Sequence, residues 1–274
     1  MSRKWYSAPY MVWMLSFIVA PLVLVAYYSF TGGENGTVYV SVESLAKVFQ
    51  PIYLDVLLRS FLLALAATAI CLVLGYPLAY ILAKLPKNAS RILLILCILP
   101  MWMNFLLRTY AWKTLLDNNG LINGFLSLIG LPKAQMLYGV GAVIFGLVYN
   151  FLPYMVLPIY TVLTKMQSNL VEAAQDLGAN SLTVFKKVIF PLSLPGVVSG
   201  ITMVFMPAVT TFAISRLLGG SQFQMYGDII EQQFTVTGDW HFGSALSLIM
   251  MVLIILGMAV LRRYDKDKEG GMLW

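Results

Sequence analysis

The chain has 274 residues, 59% of them hydrophobic and only 11% charged, with a mean hydropathy of +0.80. A soluble domain carries roughly 25% charged residues, so this composition excludes an ordinary water-soluble globule and points to an integral membrane protein. The net charge of +6 matches the excess of Lys and Arg that membrane proteins keep in cytoplasmic loops, and no nucleic-acid partner is expected.

The chain opens MSRKWYSAPYMVWMLSFIVAPLVLVAYYSF. The basic start resembles a signal peptide, but the apolar stretch over 9–30 reaches the ~20 residues that cross a bilayer. A secretory core is shorter, roughly 7–15 residues, so this segment reads as an uncleaved first span. Further apolar segments cover about 61–83, 92–112, 139–164, 196–215 and 242–261. Each must satisfy its own backbone in lipid, which predicts helices. The expected fold is therefore an all-α integral membrane protein with six transmembrane helices, forming one domain over 1–274. Pro77, Pro100, Pro153, Pro158 and Pro207 fall inside these segments. They fit either a bundle kinked around a pathway or ordinary membrane-helix irregularity. Cys71 and Cys97 lie in apolar runs and read as small buried hydrophobes.

The loops sort by charge. One set holds Arg3, Lys4, Lys84, Lys87, Arg91, Lys165, Lys186, Lys187, Arg262, Arg263, Lys266 and Lys268, twelve of the eighteen Lys and Arg. The other holds Lys47, Arg59, Arg108, Lys113, Lys133 and Arg216. The positive-inside rule makes the first set cytoplasmic, with both termini and the segment between the fourth and fifth spans.

That segment, 168–191, is less apolar than its flanks. Leu170, Ala173, Ala174 and Leu177 share one helical face. Ser168 or Asn169 is expected to cap the helix start, with Glu172 in the first turn and Gly178 at the left-handed C′ position. Asn180 or Ser181 is expected to cap a second short helix ending at Lys186 and Lys187, before Pro191 and Pro195 break the chain. Such an element either rests on lipid or docks on a protein. The small pair Ala173–Ala174 favours the protein, because lipid contact would gain more from larger apolar side chains.

The run Glu172, Ala173, Ala174, then Gly178, Val188, Phe190 and Pro191 resembles the EAA loop of ABC-importer permeases, which more often carry Ile and Leu where Val188 and Phe190 stand. The resemblance implies the type I importer-permease fold. It makes the loop, including Asp176, a cytoplasmic coupling helix that docks on an ATPase. The chain has no G-x-x-x-x-G-K-[ST] run to cradle phosphates. ATP and Mg are therefore expected on a partner ATPase, with no cofactor in this chain and no catalysis by it alone.

Two further stretches extend the resemblance: residues 99–126, containing RTYAW, and GDWHFGSALS at 238–247, following LLGGSQ. They are similar to permeases of spermidine/putrescine importers over essentially the whole chain. Related permeases for sulfate, molybdate, ferric iron and opines share the architecture, so another small solute stays open as an alternative, as does a stand-alone secondary transporter. The resemblance implies a second, related permease subunit, two copies of a cytoplasmic ATPase and an external polyamine-binding protein, in a bacterial inner (plasma) membrane.

A polyamine requires carboxylates and aromatic faces. Glu34, Glu43, Asp55, Asp117, Asp228, Glu231 and Asp239 lie in the outer loops. Asp228 and Glu231, three apart, are the favoured pair, with Asp117 second. Tyr110, Trp112, Tyr149, Tyr154, Phe234 and Trp240 offer rings for the pathway or for the interfacial belt. Arg108 and Arg59, near span ends, are expected to snorkel or form a salt bridge, with gating a further option for Arg108. His241 is the single histidine, and the sequence shows no metal-ligand cluster.

Overall fold

The computed structural model describes residues 8–34, 37–220 and 223–269, so Arg3 and Lys4 lie outside the described residues. In chain order the elements are α1 (Pro9–Ser29), β1 (Thr31–Glu34), β2 (Thr37–Val40), α2 (Glu43–Val48), α3 (Pro51–Lys84), α4 (Lys87–Trp102), α5 (Phe105–Leu116), α6 (Leu121–Leu128), α7 (Val140–Lys165), α8 (Ser168–Asp176), α9 (Ser181–Thr210), α10 (Tyr226–Gln232) and α11 (Trp240–Glu269). Within α1, α3, α7, α9 and α11 lie five segments long and apolar enough to cross a bilayer. Lys87–Trp102 and Phe105–Leu128 form a further apolar pair, bent by 92° at their junction, with the geometry of a broken span or a re-entrant loop.

The chain groups into two compact units. One holds the residues up to Leu58 together with Tyr226–Gly257. Here α1 runs into the β1–β2 hairpin, paired antiparallel with Thr31 opposite Val40. None of the apolar window of α1 is buried within the chain, so lipid or another protein must cover it. The core of this unit gathers around Tyr226, Phe242, Ala245, Leu246 and Met250. The ring of Tyr53 meets Phe242 edge-on at 4.9 Å.

The second unit spans Arg59–Met225 and resumes at Met258. Its backbone is the pairing of α7 with α9. Gly196 and Gly200, four apart on α9, make that pairing close. A Cβ on Gly196 would sit 2.9 Å from the Pro158 carbonyl oxygen, and one on Gly200 would sit 2.7 Å from the Met155 sulfur. Small residues at this spacing let membrane helices approach where no hydrophobic drive joins them.

Two expectations are corrected here. The span expected over 92–112 is broken. Backbone at Asn104 is extended, and its side-chain oxygen accepts from the amides of Leu106 (2.9 Å) and Leu107 (3.3 Å). Asn104 thus caps a new helix, while Pro100 lies in a tight turn closing the old one. The expected break at Pro191 and Pro195 is absent, and helix continues through both as α9. A wide turn over Phe185–Ile189, with the Phe190 amide bonded to the Phe185 carbonyl, precedes Pro191. It loosens the turn that a proline ring would otherwise crowd and demands no donor from Pro191.

Candidate functional site

The 168–191 element forms as two helices joined by a tight reversal. Its start differs from expectation. Gln167, with extended backbone and no side-chain bond, takes the cap position, and Ser168 is already helical. Its end follows a complete Schellman pattern. Gly178 has φ +81°, its amide bonds the Gln175 carbonyl at 2.8 Å, and the Ala179 amide bonds the Ala174 carbonyl at 3.1 Å. Asn180 then caps α9 through the Thr183 amide at 2.9 Å. Glu172, Ala173, Asp176 and Pro191 are exposed and Ala174 is half-buried. The apolar face is uncovered as well: Leu177 is 90% exposed and Leu182 is 61% exposed. A face of this kind on a small helix is suited to docking against another surface.

In the same unit Arg108 is buried, contrary to the expectation that it snorkels. Its guanidinium donates to the Pro100 carbonyl and to Asn150 Oδ1. Asn150 Nδ2 donates in turn to the Gly146 carbonyl at 2.8 Å. The guanidinium lies 5.7 Å from the Tyr149 ring centroid, and Trp112 contacts both Tyr149 (5.0 Å) and Phe145 (4.6 Å). Arg108, Trp112 and Tyr149 are therefore brought together, tying the end of α4 to α5 and α7. Among the described residues Arg108 has no carboxylate partner, so the expected salt bridge is also absent. Tyr110 is exposed and stands outside this group, and Tyr154 is partly exposed and packs near Phe151. Arg59 is exposed, with its guanidinium 5.8 Å from the Phe223 ring.

Asp117 ends α5, and its side chain accepts from the Asn119 amide at 3.3 Å. It shapes the turn into α6, where sequence reasoning offered it as a pathway acid. Asn123, fully buried, bonds the carbonyls of Asp117 and Ala134 and the amide of Ala134. Asn123 and Asn150 were not singled out from the sequence. Each is a lone amide in an apolar run, and that is the available signal, since a buried amide must find partners.

In the other unit Asp228 and Glu231 both lie on α10, Asp228 in its first turn and buried, Glu231 half-buried with its carboxylate 3.2 Å from the Thr235 hydroxyl. Tyr226 beside them is fully buried, which pushes its phenol pKa up. A shallow cleft of about 580 Å³ is lined by Tyr28, Gly33, Gly238, Asp239, Trp240 and His241. Trp240 is flanked by Phe234 at 5.4 Å and Tyr28 at 6.2 Å. Asp239 caps α11 through the Phe242 amide at 2.9 Å. His241 Nδ1 lies 3.2 Å from the Tyr28 carbonyl oxygen and 3.3 Å from the Thr31 hydroxyl.

The five apolar helices, the bent pair of Lys87–Trp102 and Phe105–Leu128 and the exposed helical reversal before α9 make up the type I ABC-importer permease fold. That fold recurs in a bacterial ABC transporter that imports the acidic polysaccharide alginate, at TM-score 0.74 and 15% identity over 95% of this chain and 94% of that one. A second structure, of a bacterial alginate ABC transporter in complex with alginate pentasaccharide-bound periplasmic protein, matches at TM-score 0.76 and 15% identity, over 94% and 92%. Residues 75–269 match the binding-protein-dependent transport system inner membrane component, and the chain belongs to that family. The spermidine/putrescine transport system permease protein PotB of Escherichia coli is 38% identical over 93% of this chain and 94% of its own. The PotB of Haemophilus influenzae is 37% identical over 93% and 91%.

Proposed function

We propose that the chain is a membrane-spanning subunit of an ATP-driven importer that translocates polyamines of the spermidine and putrescine class. The observation that carries this reading is the identity of about 38% with spermidine/putrescine permeases over nine-tenths of both chains, a match in length and sequence that fold likeness alone would not give. Acids and rings on α10 and at the start of α11 suit a cationic solute. A focused negative field raises the local concentration of cations, and aromatic faces attract ammonium groups.

In this reading an external binding protein delivers the solute and a second permease subunit completes the pathway. Two copies of a cytoplasmic ATPase bind ATP and Mg. The 168–191 element, with Glu172, Ala173, Ala174, Asp176, Gly178 and Pro191, is where the ATPase docks, and both termini are cytoplasmic. The chain supplies no catalytic group of its own.

The test is uptake of labelled spermidine, putrescine, an opine and thiosulfate in cells deleted for this gene and complemented with it. Polyamine uptake restored by the intact gene alone is the expected result. Restoration of opine or thiosulfate uptake instead would reassign the solute and leave the family membership standing.

A further inference from the structure

A second cleft, of about 650 Å³, opens in the larger unit between the start of α4 and the end of α7. Lys87 and Arg91 stand on one side of it, Tyr160 and Thr164 on the other, with Ala83 and Leu94 among its apolar lining. Lys87 and Arg91 are four apart on α4, so their side chains lie on one helical face. Both are exposed, and neither forms a hydrogen bond or ion pair with another described residue. The back of the cleft is fixed, because the hydroxyl of buried Ser90 and that of half-buried Tyr160 bond each other at 2.7 Å. No carboxylate lines it. Farther along α4 on the side of the two cations, Leu94 lines the cleft and Ile95 is 47% exposed.

We propose that this cleft binds the headgroup of an anionic phospholipid from the surrounding bilayer. The two cations face the phosphate, the Asn88 side chain offers hydrogen bonds to the glycerol region, and the acyl chains lie along the apolar wall of α4. Each part answers one part of the ligand. A free phosphate would use the cations and leave the apolar wall uncovered. A zwitterionic lipid would bring its own cation against Lys87 and Arg91. Basic pockets between membrane helices recognise headgroups on these terms, each cation near the surface strengthening the attraction several-fold. The proposal concerns the annular lipid and holds whichever solute is carried.

The assembled transporter containing this chain is placed in phosphatidylcholine nanodiscs doped with a photoactivatable phosphatidylglycerol, and crosslinked peptides are mapped. Crosslinks are expected on peptides covering 83–94 and 160–166. They should fall on the order of tenfold in the double variant Lys87→Gln, Arg91→Gln, from the loss of two cations. Thr164→Trp, which fills the cleft and keeps both cations, should lower them as well. Gel filtration and ATPase activity of the complex check that each variant is assembled. A photoactivatable phosphatidylcholine should label these peptides weakly and equally in all three. Undiminished phosphatidylglycerol labelling in both variants overturns the site. Labelling abolished by millimolar glycerol phosphate makes it a free-phosphate site and overturns the lipid assignment. Absence of labelling in the wild-type complex shows another subunit covering the cleft, and overturns it too.

Discussion

Arg108 shows how one side chain can fix a feature that hydropathy does not reveal. A buried guanidinium in a bilayer-spanning protein is costly unless its donors are met. Here the carbonyl of Pro100 and the amide oxygen of Asn150 meet two of them. The bond to Pro100 holds the end of α4 against α5, across the 92° bend, so the arginine stabilises the break itself. Asn150→Leu removes one acceptor and leaves a buried donor unmet, which costs about 1–3 kcal/mol. Thermal unfolding of the purified protein should show a lowered midpoint for Asn150→Leu. Equal midpoints for Asn150→Leu and wild type would dismiss the pin. The acids on α10 divide at the same scale. Asp228 is buried and Glu231 is half-buried, so their neutralisation should differ. Glu231→Gln should lower polyamine uptake, with assembled complex unchanged. Asp228→Asn should lower the yield of complex as well, because it alters a buried site. Uptake at the wild-type level in Glu231→Gln would remove that carboxylate from the pathway.

At the scale of elements, the reversal between α8 and α9 and the pairing of α7 with α9 both depend on glycine, for different reasons. Gly178 has open space where a Cβ would go, but its φ of +81° is one that β-branched residues resist. Gly178→Val should therefore cost about 1–2 kcal/mol through the backbone alone. Gly178→Asn should be tolerated, since asparagine visits that region. Gly200 is the opposite case, lying on an ordinary helix with no room for a side chain. Gly200→Leu should separate α7 from α9 and lower both expression and unfolding temperature. Parity of Gly178→Val with Gly178→Asn in ATPase recovered with the tagged permease would argue against the coupling role of this turn. The reversal was legible in the sequence because Gly178 and Asn180 are local signals, each acting on the turn beside it. The helix through Pro191 and Pro195 was not, because the wide turn that accommodates them is a rearrangement of backbone bonds with no residue type of its own. The break at Asn104 lies between. Its cap residue is written in the sequence, but a hydropathy window averages it away. Gly196 and Gly200 were equally visible as a small-residue pair, and they gained meaning only when α7 was seen against them.

For the whole molecule, the orientation in the membrane decides whether the 168–191 element can meet an ATPase at all. Crossings alternate sides, so the loops before α4 and before α9 share a side only if the broken pair of Lys87–Trp102 and Phe105–Leu128 counts as one crossing. Treating it as no crossing would put Lys87 and Lys186 on opposite sides of the bilayer. The charge distribution favours one crossing, because the loops at 84–91 and 165–187 then combine their Lys and Arg on a single face, as insertion favours. Cys71 is fully buried, which keeps its thiol from a reagent in water. Replacing Cys71 with Ser and Cys97 with Ala leaves a background for single new cysteines. Asn88→Cys and Ser181→Cys, both at exposed positions, should resist an impermeant maleimide applied to intact cells and react once the membrane is opened. Asn119→Cys, exposed in the turn between α5 and α6, should react from outside. Labelling of Asn88→Cys and Ser181→Cys on different sides would mean that the broken pair returns to the side it entered. In that case the reversal at Gly178 and the basic cleft at Lys87 would face different compartments. Labelling of both from outside would invert the molecule and remove the docking role of Ala173 and Ala174.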